Sequence, residues 1–302
     1  MKYLIPNIIL ALLLLLTFVR CDDPLPTELI NNEEEVEIEV INSEPNSIVI
    51  TGYDSTGIVD ILPRSQTVIS LSGIKNTING RTFYKGNTEA IFYDTTKSVF
   101  AQENKFIGFK TFENGRVKVG DRIARLVPHF LKYRENFEIK ETLVGVKHVI
   151  LYENTLLPNV NKLPYNENIR IEFKNRFDHQ SSFVARLPKE IIGKINVIGN
   201  KEKNNLKIDI IWDNNFTEQD EIIVGGIIKE KDRREMIPLF RLKKFRKNNF
   251  TIPNSLIKQI LAGDYSSLVV SFIRKTRITK PTSRLGDIYI ASQSIHNIWI
   301  AL

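Results

Sequence analysis

The chain has 302 residues, of which 42% are hydrophobic and 25% charged, the proportions of a globular protein with a substantial core. A single cysteine excludes an intramolecular disulfide and any metal centre built on several thiolates. The formal net charge of +7 is spread along the sequence and not gathered in one basic arm, so no nucleic acid is expected as a partner. Anionic lipid or polysaccharide suits such a charge better.

The chain opens with Met1-Lys2-Tyr3, then an apolar run over residues 4–19, then Arg20 and the only cysteine, Cys21. The run is shorter than the roughly 20 residues a spanning helix needs, and Pro6 and Asn7 interrupt it. A cleaved export signal over residues 1–21 is expected, with an uncleaved anchor helix as the alternative. Asp22-Asp23 follow the cysteine. An apolar run, then a cysteine, then this acidic pair resembles the signal of bacterial lipoproteins, and the acidic pair is similar to the export signals of Bacteroidota surface lipoproteins. Phe18, Val19 and Arg20 stand where a standard lipobox has small residues. The resemblance implies acylation of Cys21, a palmitate-type anchor and a place at the outer membrane. Each buried acyl methylene would add about 0.8 kcal/mol of membrane affinity. Residues 22–35 carry Pro24, Pro26 and Glu33-Glu34-Glu35, the composition of a flexible tether.

From Val36 onward the pattern is β. Val36, Ile38 and Val40 alternate with Glu37 and Glu39, the period of a half-buried strand. Short β runs follow at residues 48–50, 58–62, 67–71, 82–84, 90–93 and 105–111, with a loop expected over 73–80. Asn114-Gly115 reads as a tight hairpin turn between Phe109, Phe112 and Val117, Val119. Residues 121–137 space Ile123, Leu126, Val127, Phe130 and Leu131 as a helix would, but Pro128 interrupts; a short helix and an irregular crossover are both open. A strand at 144–152 and a Pro- and Asn-rich linker near 156–165 close this half.

The second half resumes the rhythm at 169–173, 182–187 and 194–198. After a polar hairpin tip at 200–205, Leu206, Ile208, Ile210 and Trp212 face one way, and Lys207, Asp209 and Ile211 the other. Strands at 222–228, 267–273, 288–290 and 295–300 and a helix over 255–261 follow. Asn254 or Ser255 is expected to cap that helix and Gly263 to stop it. Residues 206–277 run from a strand ending in Trp212-Asp213-Asn214-Asn215, through Ile222-Ile223-Val224-Gly225-Gly226-Ile227 and Phe250-Thr251-Ile252-Pro253, to a strand reaching Arg274. This order resembles an immunoglobulin-like β-sandwich module of Bacteroidota surface lipoproteins. The module is architectural and implies no catalytic residue.

Candidate chemistry is sparse. His129, His148, His179 and His296 are scattered without a zinc-hydrolase spacing. Asp178-His179-Gln180-Ser181-Ser182 holds an acid, a base and a hydroxyl, but triad members converge from separate loops, so a turn is expected there. Asp213 to Glu221 supplies oxygen ligands without the glycine and terminal glutamate of an EF-hand. The basic stretch at 229–247 gives the candidate binding residues Arg233, Arg234, Arg241, Lys243 and Lys244, its bland reading being an exposed hairpin. Phe83, Tyr84, Phe92, Tyr93, Phe106, Phe109 and Phe112 offer either a sugar-stacking platform or core packing.

The sequence therefore predicts an all-β protein with two β-sandwich-like domains in tandem, at 36–157 and 165–302, the second immunoglobulin-like. The expected role is non-enzymatic: a lipid-anchored envelope protein, with Cys21 as the lipidation site, whose partner is an envelope protein or a polysaccharide. No catalytic residue, metal or cofactor is expected. The rivals are a secreted glycan-acting hydrolase and a subunit of a larger envelope assembly.

Overall fold

The structure, a computed structural model, describes residues 36–41, 66–101, 104, 106–135, 138–155, 166–175, 180–201, 205–213, 216–217, 220–230, 233–282 and 286–302. The leader, Cys21, the tether, the runs at 48–50 and 58–62, and the linker at 156–165 lie outside these residues.

In chain order the strands of the first half are β1 (Glu37–Val40), β2 (Thr67–Ile78), β3 (Arg81–Phe100), β4 (Phe106–Thr111), β5 (Arg116–Val119), β6 (Arg122–Ile123), β7 (Arg125–Glu135) and β8 (Glu138–Thr155). The second half adds β9 (Asn168–Lys174), β10 (Gln180–Arg186), β11 (Gly193–Ile198), β12 (Lys207–Trp212), β13 (Asp220–Glu230), β14 (Arg233–Lys243) and β15 (Asn249–Thr251). A helix α1 (Asn254–Ala262), then β16 (Ser267–Thr282) and β17 (Gly286–Ala301), complete it. The protein is all-β and built as a sandwich. A ten-stranded sheet, ordered β1-β14-β13-β16-β17-β2-β3-β8-β7 with β4 on β3, forms one layer. Two smaller sheets, β10-β9-β5-β6 and β11-β12-β15, cover its two ends.

Each end has its own core. In one, Ile38, Phe240, Leu242, Ile222, Val224, Leu268, Val270 and Phe272 meet Ile208, Ile210 and Trp212 of β12, and Leu256, Ile257 and Ile260 of α1. In the other, Ile69, Leu71, Phe92, Ile150, Ile288 and Ile290 meet Val117, Val119, Ile169, Ile171 and Phe173. Burying a side chain of this size is worth about 1.5–3 kcal/mol, so each cluster stabilises its lobe without a disulfide. Both main cores draw residues from the two halves of the chain, and one sheet runs through both. β17 pairs in parallel with β2, and β1 pairs with β14, so strands of the first half complete the sheet of the second. β17 gives Ile288 and Ile290 to one core and Ile300 to the other, and between them the same face carries buried Ser292, Ser294 and His296.

The chain crosses between the small sheets over this polar seam. Leu187 belongs to one core and Ile191 to the other. Between them the Lys189 carbonyl accepts a hydrogen bond from Ser294 Oγ at 3.0 Å, and Glu190 pairs with Lys75 at 2.5 Å. The Gly193 amide then donates to His296 Nδ1 at 3.3 Å. A Cβ on Gly193 would fall 2.1 Å from Phe272 Cε2, so this close approach requires glycine.

Several local expectations are corrected. Residues 73–78 continue β2 instead of forming a loop, because β2 reverses into β3 only at Asn79 and Gly80, both at positive φ. Asn114-Gly115 is not a hairpin turn: β4 pairs with β3 and β5 with β9. Gly115 has a φ of +97°, and a Cβ there would meet the Lys174 carbonyl oxygen at 2.2 Å. Residues 125–135 form a strand and not a helix, since Pro128 is tolerated on the sheet's edge, where an amide can go unpaired. The cap of α1 is Pro253, whose carbonyl accepts the amides of Leu256 and Ile257 at 3.0 Å, with no side-chain cap. Gly263 stops the helix as expected.

Candidate functional site: a cationic sheet face

In β5 and β9, charged and apolar residues alternate, so pairing them sorts the two kinds onto opposite faces. Val117, Val119, Ile169, Ile171 and Phe173 enter the core. The solvent face receives Arg116 and Lys118 from β5, Asn168, Arg170, Glu172 and Lys174 from β9, and Gln180, Ser182, Val184 and Arg186 from β10. Ile123 of β6 stands opposite Lys118. Among the described residues the strands of this face therefore carry five cations and a single carboxylate. The β5–β6 turn holds Asp121, and the turn before β9 holds Glu167.

The register sets the cations in rows. Arg116, Lys174 and Gln180 share one row; Lys118, Glu172 and Ser182 the next; Arg170 and Val184 the third; Asn168 and Arg186 the fourth. Glu172 holds its neighbours, lying 3.0 Å from Arg170 and 3.7 Å from Lys118. Arg170 Nε also donates to Ser182 Oγ at 3.0 Å, and Arg186 donates to Asn166 Oδ1 at 2.7 Å. Exposed pairs of this kind contribute little to stability, so these side chains are available for another role.

The candidates singled out in the sequence fall elsewhere. Arg233 and Arg234 open β14 opposite Glu230 and Lys229. Arg241, mostly buried, lies 3.5 Å from Glu39 and 3.4 Å from Glu221. Lys243 reaches Glu39 at 2.9 Å and Lys244 reaches Glu37 at 2.6 Å. Edge strand β1, whose alternation marked it as half-buried, thus matches the charges of the basic stretch within the fold. The oxygen-rich segment near Asp213 is likewise engaged: buried Asp220 accepts from Arg274 at 2.9–3.1 Å and from the Thr217 amide at 2.6 Å, while Glu221 pairs with Lys275. Among the described residues no group of three or more His, Cys, Asp and Glu is placed to hold a metal.

The aromatic set divides. Phe92 is core, whereas Phe106 and Phe112 are exposed, and Phe106 lies edge-on to Phe100 and Phe109. His129 is buried near Lys147 and Glu89, and Lys147 donates to Glu89 at 2.8 Å. Burial, together with the Lys147 charge, pushes His129 down to about 4, and burial with the Lys75 charge does the same to His296. Both are neutral imidazoles near pH 7.

Sequence reasoning missed the cationic face because it joins the β9 and β10 pair to β5, which lies about fifty residues earlier in the chain. Arg116-Val117-Lys118-Val119 and Ile169-Arg170-Ile171-Glu172-Phe173-Lys174 each read only as half-buried strands. The one available signal was that their exposed positions are almost all basic.

No family model matches the sequence, and no curated protein matches it. The solved structures that align include two with low TM-scores. One is the yeast delta-COP-I mu-homology domain in complex with a Dsl1 WxWxV peptide, 8% identical, TM-score 0.27, covering 77% of this chain and 98% of that one. The other concerns host cell surface retention of a 1.5-MDa bacterial ice-binding adhesin, 9% identical, TM-score 0.16, covering 77% of this chain and 64% of that one. Neither bears on what this chain does.

Proposed function

We propose that the chain is an exported, lipid-anchored protein of the cell envelope with a non-enzymatic role, held by acylated Cys21 and binding an anionic partner through the outer face of β10-β9-β5-β6. The observation that carries this reading is the set of five cations around one carboxylate on a solvent-facing sheet. Charges on a sheet face are a poor means of stabilising it, and a long-range field of one sign attracts a partner of the other. The leader and Cys21 supply the expectation of export and anchoring. Expression of the full chain beside Cys21→Ala in a lipoprotein-processing host tests the anchor. Wild type is expected in the membrane fraction and the variant in the soluble one; identical soluble fractionation of both rejects the anchor.

One observation favours a second reading, a subunit of a larger envelope assembly. Edge strand β7 exposes Leu126 and Phe130, and Leu143 lies opposite Phe130 on β8, an apolar cross-strand group of the kind that marks protein contacts.

A further inference from the structure

We infer that the partner of the cationic face is a linear acidic polysaccharide, a deepening that rests on the reading of this face as an anion-binding surface. The arrangement of the cations decides the shape of the ligand. Successive rows lie two residues apart, about 6.7 Å, and neighbouring strands about 4.8 Å apart. Arg116 and Lys174 occupy the first row, Lys118 the second, Arg170 the third and Arg186 the fourth. The positions step diagonally from β5 through β9 to β10, a line about 20 Å long. A lone phosphate or carboxylate needs donors that converge on one point. A line of separate cations on a flat sheet fits a polymer whose charges recur along its length. Glu167, in the turn beyond the last row, bounds the track at one end, and Asp121 lies in the β5–β6 turn beside the row of Arg170.

The neutral residues of the face decide the chemistry. Gln180, Ser182 and Asn168 stand in the same rows as the cations and supply amide and hydroxyl groups for sugar hydroxyls. Single-stranded nucleic acid is held by aromatic stacking as well as charge, and among the described residues this face has no ring. A bilayer surface is engaged by charge plus aromatic or other apolar side chains at headgroup depth, and here only Ile123 and Val184 are apolar. Neutral glycans depend on aromatic platforms, and none lies on this face among the described residues. Glu172 keeps Arg170 and Lys118 in line, so part of their ordering cost is met before the polymer arrives.

The test uses the full chain purified in mild detergent, with polygalacturonate and dextran sulfate as acidic polysaccharides. Unmodified dextran, duplex and single-stranded DNA, and phosphatidylglycerol vesicles are the comparisons. The expected result is binding to at least one acidic polysaccharide, at least tenfold tighter than to DNA or vesicles, and none to dextran. Arg116→Ser/Arg170→Ser/Lys174→Ser, with unchanged circular dichroism, is expected to weaken it at least tenfold. DNA or vesicles bound as tightly as the polysaccharides would overturn the polysaccharide while leaving an anion-binding face. Polysaccharide binding untouched by the triple substitution would overturn the face itself. No binding to any polyanion would overturn both.

Discussion

His296 shows how single side chains report the two-lobed design. Its Nδ1 accepts the Gly193 amide and its Nε2 lies 3.1 Å from Thr77 Oγ1, so one imidazole ties β17 to β2 and to the start of β11. Burial and the Lys75 charge hold it neutral with a pKa of about 4, and His129, beside Lys147 and Glu89, behaves alike. His148 is also lowered by burial, its ring edge-on to Phe92. A histidine depressed in the folded state binds its proton more readily once unfolded. Stability is therefore full above about pH 6.5 and falls as the pH drops toward 4, by up to about 3 kcal/mol for each of His129 and His296. Urea midpoints measured at pH 7.5 and 4.5 are expected to drop clearly; an unchanged midpoint would show these imidazoles to be hydrated.

Among elements, the crossing between β10 and β11 is the one the lobes depend on. It contributes Leu187 to one core and Ile191 to the other, and Gly193 lies against the Phe272 ring. Gly193→Ala would force that ring or the strand to move, and over-packing at such a site costs about 1–3 kcal/mol. Thermal unfolding is expected to show that loss, with partial recovery on adding Phe272→Leu; a neutral Gly193→Ala would mean the contact is loose. Element type was legible where one face is buried. β12 shows the expected burial of Ile208, Ile210 and Trp212, and α1 forms around Leu256, Ile257 and Ile260. It was not legible in β7, where helical spacing of apolar residues arose on an edge strand with exposed Leu126 and Phe130. Nor was it legible at Gly115, whose neighbour Lys174 is far away in sequence.

For the whole molecule, the sequence carried the all-β class but not how strands of the two halves share one sheet. Alternation reports which face of a strand is buried and is silent on which strand lies beside it, so the β17–β2 and β1–β14 pairings could not be read from it. The same silence hid the cationic face, which exists only through the β5–β9–β10 register. Because one sheet serves both cores, chains 36–157 and 165–302 expressed separately are expected to lack sharp amide dispersion in NMR spectra; two well-dispersed spectra would establish independent domains. β1 lies at one edge of the ten-stranded sheet, with β2, β3 and β8 beneath the cationic sheet toward the other. At about 4.8 Å per strand, β1 lies tens of ångströms from that face.

The most direct measurement is the salt dependence of acidic-polysaccharide binding by the full chain and by Arg170→Ala/Lys174→Ala. If charges on this face bind the polymer, log K falls linearly with log salt concentration, and removing two cations makes the slope shallower by roughly one to two units, by analogy with counterion release from other polyanions. An affinity that ignores salt, or a slope the double substitution leaves unchanged, would contradict the assignment.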